Sequence, residues 1–251
     1  MILVWFIGIL LLSGLLAFIV GQWNTRASRW IALAGVASDF ILAVSFWIRT
    51  PNTGNAWITE YRINWIPDFG ISFHLALDGL SLLLLMLTFF LGVSAVLSSW
   101  TEIRERTSFY CLNLMAILTG ITGVFLAMDL FLFYFFWELM LIPMYFLIGI
   151  WGSENRTYAA YKFFIFTQAG GLLMLLAILG LYFIHGSNTG NYSFNYFDLL
   201  GTGLSPGIAM VLFLGFMIAF VVKLPVVPFH SWLPDAHSEA PSAGSLIIAG
   251  L

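Results

Sequence analysis

Two residues in this 251-residue chain carry charge where charge is costly. Glu138 lies inside "LFLFYFFWELMLIPMYFLIGIW" (130–151), and Lys223 lies inside "FMIAFVVKLPVVPFH" (216–230). An ionisable group at bilayer depth costs roughly 2.5–3.5 kcal/mol on insertion scales, so such residues turn to an interior or hydrated pocket. Each also sits beside a helix break. Pro143 has no N–H and its ring clashes with the Leu139 carbonyl, while Pro225 and Pro228 do the same to Val221 and Leu224. Carbonyls freed in this way need protein or water to satisfy them. An acid and a base in one such pocket are expected to pair. In a low dielectric, how firmly a lysine holds its proton depends on how near the carboxylate stands, so the pair is a device for holding and releasing protons. Glu138 and Lys223 are therefore the candidate catalytic residues, as a proton-transfer pair. The plainer alternative, an ion pair that only fixes helix packing, leaves both proline breaks unexplained.

The stretch "KLPVVPFHSWLPDAHSEAP" (223–241) adds titratable groups at a helix end. Histidine changes charge near neutrality, so His230 and His237 can pass protons between Lys223 and the next helix, tuned by Asp235 and Glu239. The relay is the preferred reading for His230; His237 fits a relay and an ordinary loop residue equally. His230, Asp235 and His237 have no specific metal-ligand spacing, so no metal site is assigned. Among the other polar groups, Asp39 is a third buried acid or a partner in one interhelical hydrogen bond, and Asp129 is a turn residue between apolar runs. Thr167 and Gln168 are expected to bond across helices or line a water path, and Gly170 and Gly171 to permit close helix approach. Asp78 reads as a helix N-cap.

The elements that must position these residues are membrane helices. The chain is 61% hydrophobic and 8% charged, with a mean hydropathy of +0.98, far from the quarter charged typical of soluble domains. Twenty-two helical residues span about 33 Å, enough to cross a bilayer core. The reading is an all-α polytopic membrane protein, since continuous apolar runs lack the alternation of a strand barrel. Helices are expected at about 1–22, 30–48, 78–99, 108–128, 130–151, 158–184 and 207–228, with an eighth starting at "PSAGSLIIAGL" and cut off at Leu251. Ending inside an apolar run is what a piece of a longer protein would show. The first helix lacks a basic flank ahead of it and is not a cleaved signal peptide.

Alternating the connections puts Arg26, Arg29, Arg104, Arg106, Arg156 and Lys162 on one side and only Arg49 and Arg62 on the other. Six against two predicts a cytoplasmic basic side and an N-terminus outside. One outer connection has its own pattern: "WITEYRINW" (57–65) and "ISFHLALD" (71–78) alternate apolar with polar residues around "IPDFG", which predicts a β-hairpin serving as a structural cover. A net charge of −3 without a basic patch argues against nucleic acid. The single Cys111 excludes an internal disulfide, a cysteine-ligated iron–sulfur cluster and a Cys-type zinc site. With no GxGxxG and no P-loop, any redox chemistry belongs to a partner.

The segments "FHLALDGLSLLL", "FFWELMLIPMYFLIGIWG", "KFFIFTQAGGL", "FVVKLPVVPFHSWLPDAHSEAPSAGS" and "RWIAL" resemble the antiporter-like, proton-pumping membrane subunits of bacterial NADH:quinone oxidoreductase, respiratory complex I. The motif around Lys223 is shared by the wider antiporter-like family; "HLALDGLSLL" and "FFWELMLIPMYF" point to its subunit M branch. The resemblance implies an antiporter-like fold of about fourteen helices, with two inverted five-helix repeats each built around a broken helix. On that pattern residues 1–107 hold transmembrane helices 1–3, with the outer β-hairpin at about 57–78. Residues 108–251 hold an incomplete first repeat: helices 4–6, the broken helix 7 and the start of helix 8. It also implies that Glu138 modulates the proton affinity of Lys223, with His230 and His237 in the connection towards helix 8. Flavin, iron–sulfur clusters and quinone would be in other subunits, with none in this chain. The partners would be complex I membrane subunits, neighbouring antiporter-like ones included, in the bacterial inner membrane. The family's remaining charged positions lie beyond Leu251, so this length is not expected to pump by itself. The alternative is a subunit of a multi-subunit sodium/proton antiporter.

Overall fold

A computed structural model describes residues 1–49 and 56–250. Helix follows helix: α1 (Ile2–Gly21), α2 (Thr25–Arg49), then a hairpin of β1 (Thr59–Ile66) and β2 (Ile71–Leu77). After these come α3 (Gly79–Glu102), α4 (Thr107–Leu126), α5 (Leu130–Leu139), α6 (Leu141–Trp151) and α7 (Arg156–Thr189). The chain continues with α8 (Tyr196–Leu199), α9 (Pro206–Lys223), α10 (Trp232–Glu239) and α11 (Ser242–Gly250). Among the described residues seven helical segments are long and apolar enough to cross a membrane, with α5 and α6 counted together. Leu251, at which the expected eighth helix would be cut off, lies outside the described residues.

The chain packs around α4, the most buried span, which touches α1, α2, α3, α5 and α6. Its Leu114, Met115, Ile117 and Leu118 are fully enclosed. At the other extreme, α9 packs against α7 and leaves Met210, Val211 and Phe213 exposed, an apolar surface suited to lipid.

The connections sort onto two faces. On the hairpin face β1 and β2 pair antiparallel from Thr59↔Leu77 to Ile66↔Ile71, with an irregularity between Asn64 and Ile66. Gly70 turns the corner at φ 66°, against the carbonyl of Tyr192, where a Cβ has no room. Two further connections are stitched to the hairpin: Leu75 bridges Ala127, and Asp129 bridges Asn195. The Met128 N–H donates to His74 O (2.9 Å) and the Leu130 N–H to Phe194 O (2.8 Å).

Asp129 is more than a turn residue. It is fully buried and caps α5, accepting from the N–H groups of Phe131 (3.0 Å) and Leu132 (3.2 Å), and from Ser72 N–H (2.9 Å) and Oγ–H (3.0 Å). Burial pushes its carboxyl above the ordinary range, against these donors, which pull it down. Beside it His74, also fully buried, joins two connections. Asn195 Oδ1 accepts from Phe197 N–H, so its amide nitrogen donates to His74 Nδ1 (2.6 Å), leaving the ring proton on Nε2 to face Glu60 Oε1 (2.6 Å). Asp78 caps α3 through Ser81 N–H (2.7 Å), as its place in the sequence predicts.

The basic face is held mainly through side chains. Arg29 donates to Ile103 O (2.6 Å), Trp151 Nε1 to Glu105 O (2.8 Å) and Ser242 N–H to Glu102 Oε1 (3.1 Å). Glu239 ties α10 to the connection before α7, accepting Ser153 N–H at its carbonyl (3.0 Å) and Asn155 N–H at its carboxylate (2.9 Å).

Candidate functional site

The apolar run 130–151 forms two helices that part at Met140, three residues before Pro143. Glu138 therefore sits in the last turn of α5. The second run stops at the other charge: α9 ends at Lys223, where Pro225 and Pro228 forbid another turn. Two of the carbonyls released there are recovered locally. Val221 O accepts Val226 N–H (3.0 Å), and Val222 O accepts the indole N–H of Trp232 (2.9 Å) from the start of α10.

Lys223 points between the helices. Its Nζ lies 3.6 Å from Met140 Sδ, at the α5–α6 break, and 5.3 Å from the centre of the Trp137 ring. It lines a cavity of about 80 Å³, walled by Ile117 and Ile121 of α4 and by Met140 and Met144 at the break. Phe163 of α7, Trp232 of α10, and Ile247 and Ile248 of α11 close it. That volume holds roughly two or three waters at about 30 Å³ each. Apart from Lys223 the lining is apolar, so the ammonium is the polar group around which water would order.

Glu138 follows Trp137 directly in the last turn of α5. Tyr134 and Gln168 stand beside its carboxylate, whose Oε1 is buried and accepts no hydrogen bond among the described residues. The carboxylate presses on Gly171 of α7 so closely that a Cβ there would collide with Oε1. Its open side forms a groove with Phe131, Phe135, Ile142 and Leu175. Glu138 and Lys223 thus share a neighbourhood, close enough to interact electrostatically, but among the described residues they form no direct ion pair. The ammonium has Met140 Sδ and the Trp137 ring for neighbours, with no salt-bridge contact to the carboxylate among the described residues.

The histidines stand away from this cavity. His230, in the short turn after α9, is exposed and its ring makes no hydrogen bond among the described residues; His237 is exposed on α10, its Nδ1 2.6 Å from Ser245 Oγ of α11. His237 thus reaches the next helix directly, whereas His230 does not. Asp235 bonds Lys162 Nζ at 2.6 Å. Asp39 is fully buried in α2, and neither of its oxygens has a partner among the described residues, so the interhelical hydrogen bond considered for it does not form there. Thr167 donates within its own helix, to Phe163 O (2.7 Å), rather than across helices. Sequence reasoning passed over Trp137, Met140 and Trp232, which read as ordinary apolar residues. The available signal was adjacency: Trp137 precedes Glu138 directly, and Trp232 follows two prolines that free carbonyls.

Residues 127–251 match the family described as NADH:quinone oxidoreductase/Mrp antiporter, TM. The whole chain is 52% identical to NADH-quinone oxidoreductase subunit M of Escherichia coli K12 and 51% identical to that of Pseudomonas aeruginosa, covering 52% of each. The chain spans about half the length of the curated relatives it matches. Among solved structures, respiratory complex I from Thermus thermophilus with bound NADH contains a chain 31% identical, superposing with a TM-score of 0.78 over 96% of this chain and 50% of that one. The Mrp complex from Dietzia sp. superposes with a TM-score of 0.81 at 22% identity, over 99% of this chain and 26% of that one; this is a likeness of fold alone. The chain is thus a multi-pass membrane protein with the antiporter-like fold, similar along its length to subunit M.

Proposed function

We infer that this chain belongs to the proton-translocating, antiporter-like membrane subunits of NADH:quinone oxidoreductase, of the subunit M type. NADH oxidation and quinone reduction, with the flavin and iron–sulfur clusters they need, take place in other subunits; this chain contributes proton transfer and holds no redox centre. The observation that carries the reading is Lys223, placed by a proline-broken helix end in a small internal cavity among α4, α7, α10 and α11. Residues 108–251 act as the transporting repeat and 1–107 brace it. The basic face is cytoplasmic and the N-terminus lies outside, because basic connections are retained inside.

The geometry supports a division of labour. Lys223 is the proton carrier, because its ammonium alone gives the cavity a titratable group. Glu138 is the charge that biases it: when the carboxylate moves closer the ammonium is favoured, and when it withdraws the proton is released. His237, bonded to Ser245, leads onward to α11. His230 would join this path only if the turn after α9 shifted.

The test uses inside-out vesicles holding the assembled oxidoreductase with full-length subunit, parent against Glu138→Gln. NADH oxidation and interior acidification should both fall sharply while the complex stays assembled. Parental rates in the variant would remove Glu138 from the proton path. The second reading, a sodium/proton exchanger, rests on the Mrp-like fold. NADH-independent sodium uptake driven by a pH gradient would favour it.

A further inference from the structure

Around the Lys223 cavity one contact is neither part of the lining nor needed to cap a helix. Lys162 of α7 and Asp235 of α10 form an ion pair at 2.6 Å, with both side chains partly exposed. Their neighbours point inward. Phe163, next to Lys162, and Trp232, one turn before Asp235, meet edge to face at 5.4 Å between ring centres, and both wall the cavity. Trp232 also holds Val222 O, one residue from Lys223. The same two elements are thus joined twice, by an aromatic contact facing the cavity and by an ionic contact facing the basic side.

We propose that the Lys162–Asp235 ion pair is a positioning latch. It holds α10 against α7 so that the Phe163–Trp232 contact stays shut between the cavity and the basic side, and it thereby sets the access of Lys223 to protons from that side. A partly exposed ion pair contributes little to folding, so the weight of this one is geometric. A small displacement of a positioning group is enough to spoil a proton-transfer geometry. The rest of α10 is held through Glu239 and through Ser245–His237, neither of which touches the Phe163–Trp232 contact. Loss of the latch would therefore loosen the start of α10 while its end stays tied. The inference rests on the proton path proposed above for its consequence, but not for its geometry.

The experiment uses the assembled complex in inside-out vesicles, whose basic face is then exposed to the medium. Lys162→Met, Asp235→Asn and the charge-exchanged double variant Lys162→Asp/Asp235→Lys are each made in the parent, and again together with Cys111→Ser and Ile247→Cys. Two quantities are read: NADH-driven acidification, and the rate at which a water-soluble thiol reagent modifies the cysteine at position 247 in the cavity wall. Each single variant should lower acidification several-fold and speed modification several-fold, with both returning towards the parent in the exchanged pair. Unchanged modification in both single variants overturns the latch, as does faster modification with unchanged acidification. Failure of the exchanged pair to restore either quantity, in complexes that still assemble, overturns it too. Modification requires no pumping, so its outcome is independent of Glu138→Gln, which tests the proton path itself.

Discussion

Glu138 and Gly171 are packed so closely that the position of the carboxylate depends on the absence of one methyl group. Gly171→Ala would drive a Cβ into Oε1, so the carboxylate must turn away from α7. We expect NADH-driven acidification to fall several-fold with the complex assembled. Gly170→Ala provides the comparison. There the Cβ meets Ala219 and Val222 at 3.3–3.5 Å, a tight but tolerable contact, and the loss should be small. Equal effects of the two substitutions would mean that packing between α7 and α9, rather than the placement of Glu138, is being measured. Trp232→Phe keeps the ring against Phe163 but leaves Val222 O without its donor. That costs about 1–3 kcal/mol for an unsatisfied buried acceptor and should lower the temperature at which the solubilised complex loses this subunit. Glu138 and Lys223 were legible in the sequence because charge in an apolar run has few explanations. The lack of a salt-bridge contact between them was not, because side-chain direction at a helix break depends on neighbours distant in sequence.

At the scale of elements, apolar length located every spanning helix, and polar chemistry moved the ends. The second helix starts at Thr25 rather than about 30, because Asn24 accepts the N–H groups of Arg26 (3.0 Å) and Ala27 (3.2 Å) and supports a first turn of polar residues. The sixth span runs on to Thr189 rather than about 184, its last turns supported by Asn188 donating to Gly203 O (2.9 Å). The run expected to continue to about 228 stops at Lys223, and α10 forms within what reads as a polar connection. The hairpin appears where alternation predicts it, but the stitching of the 127–130 and 193–197 segments to it depends on contacts invisible in local pattern. Asp129→Ala removes an N-cap worth about 1 kcal/mol and also orphans the Ser72 N–H. Heating should release this subunit earlier than in the parent, and Asp129→Asn, which keeps an acceptor for the α5 N–H groups, should recover part of the loss. No difference between the two would show that the cap is not what Asp129 supplies.

For the molecule as a whole, the two faces make opposite predictions about orientation. Arg104→Cys, on the basic face, should react in intact cells only with membrane-permeant reagents, whereas Arg62→Cys, in the hairpin, should react with impermeant ones. The reverse pattern would invert the proposed topology. The cavity around Lys223 has one more consequence, which concerns the identity of the ion. A sodium ion stripped of water needs several oxygen ligands to replace its shell, as hard cations generally do. The side chains around Lys223 present isoleucine, methionine, phenylalanine and tryptophan, and no oxygen. The side chains of such a chamber offer a bare alkali ion no ligand and set an ammonium against it. A proton needs no coordination shell there, because it travels as part of a covalent N–H or O–H bond. Replacing sodium by potassium in the medium should accordingly leave NADH-driven acidification unchanged.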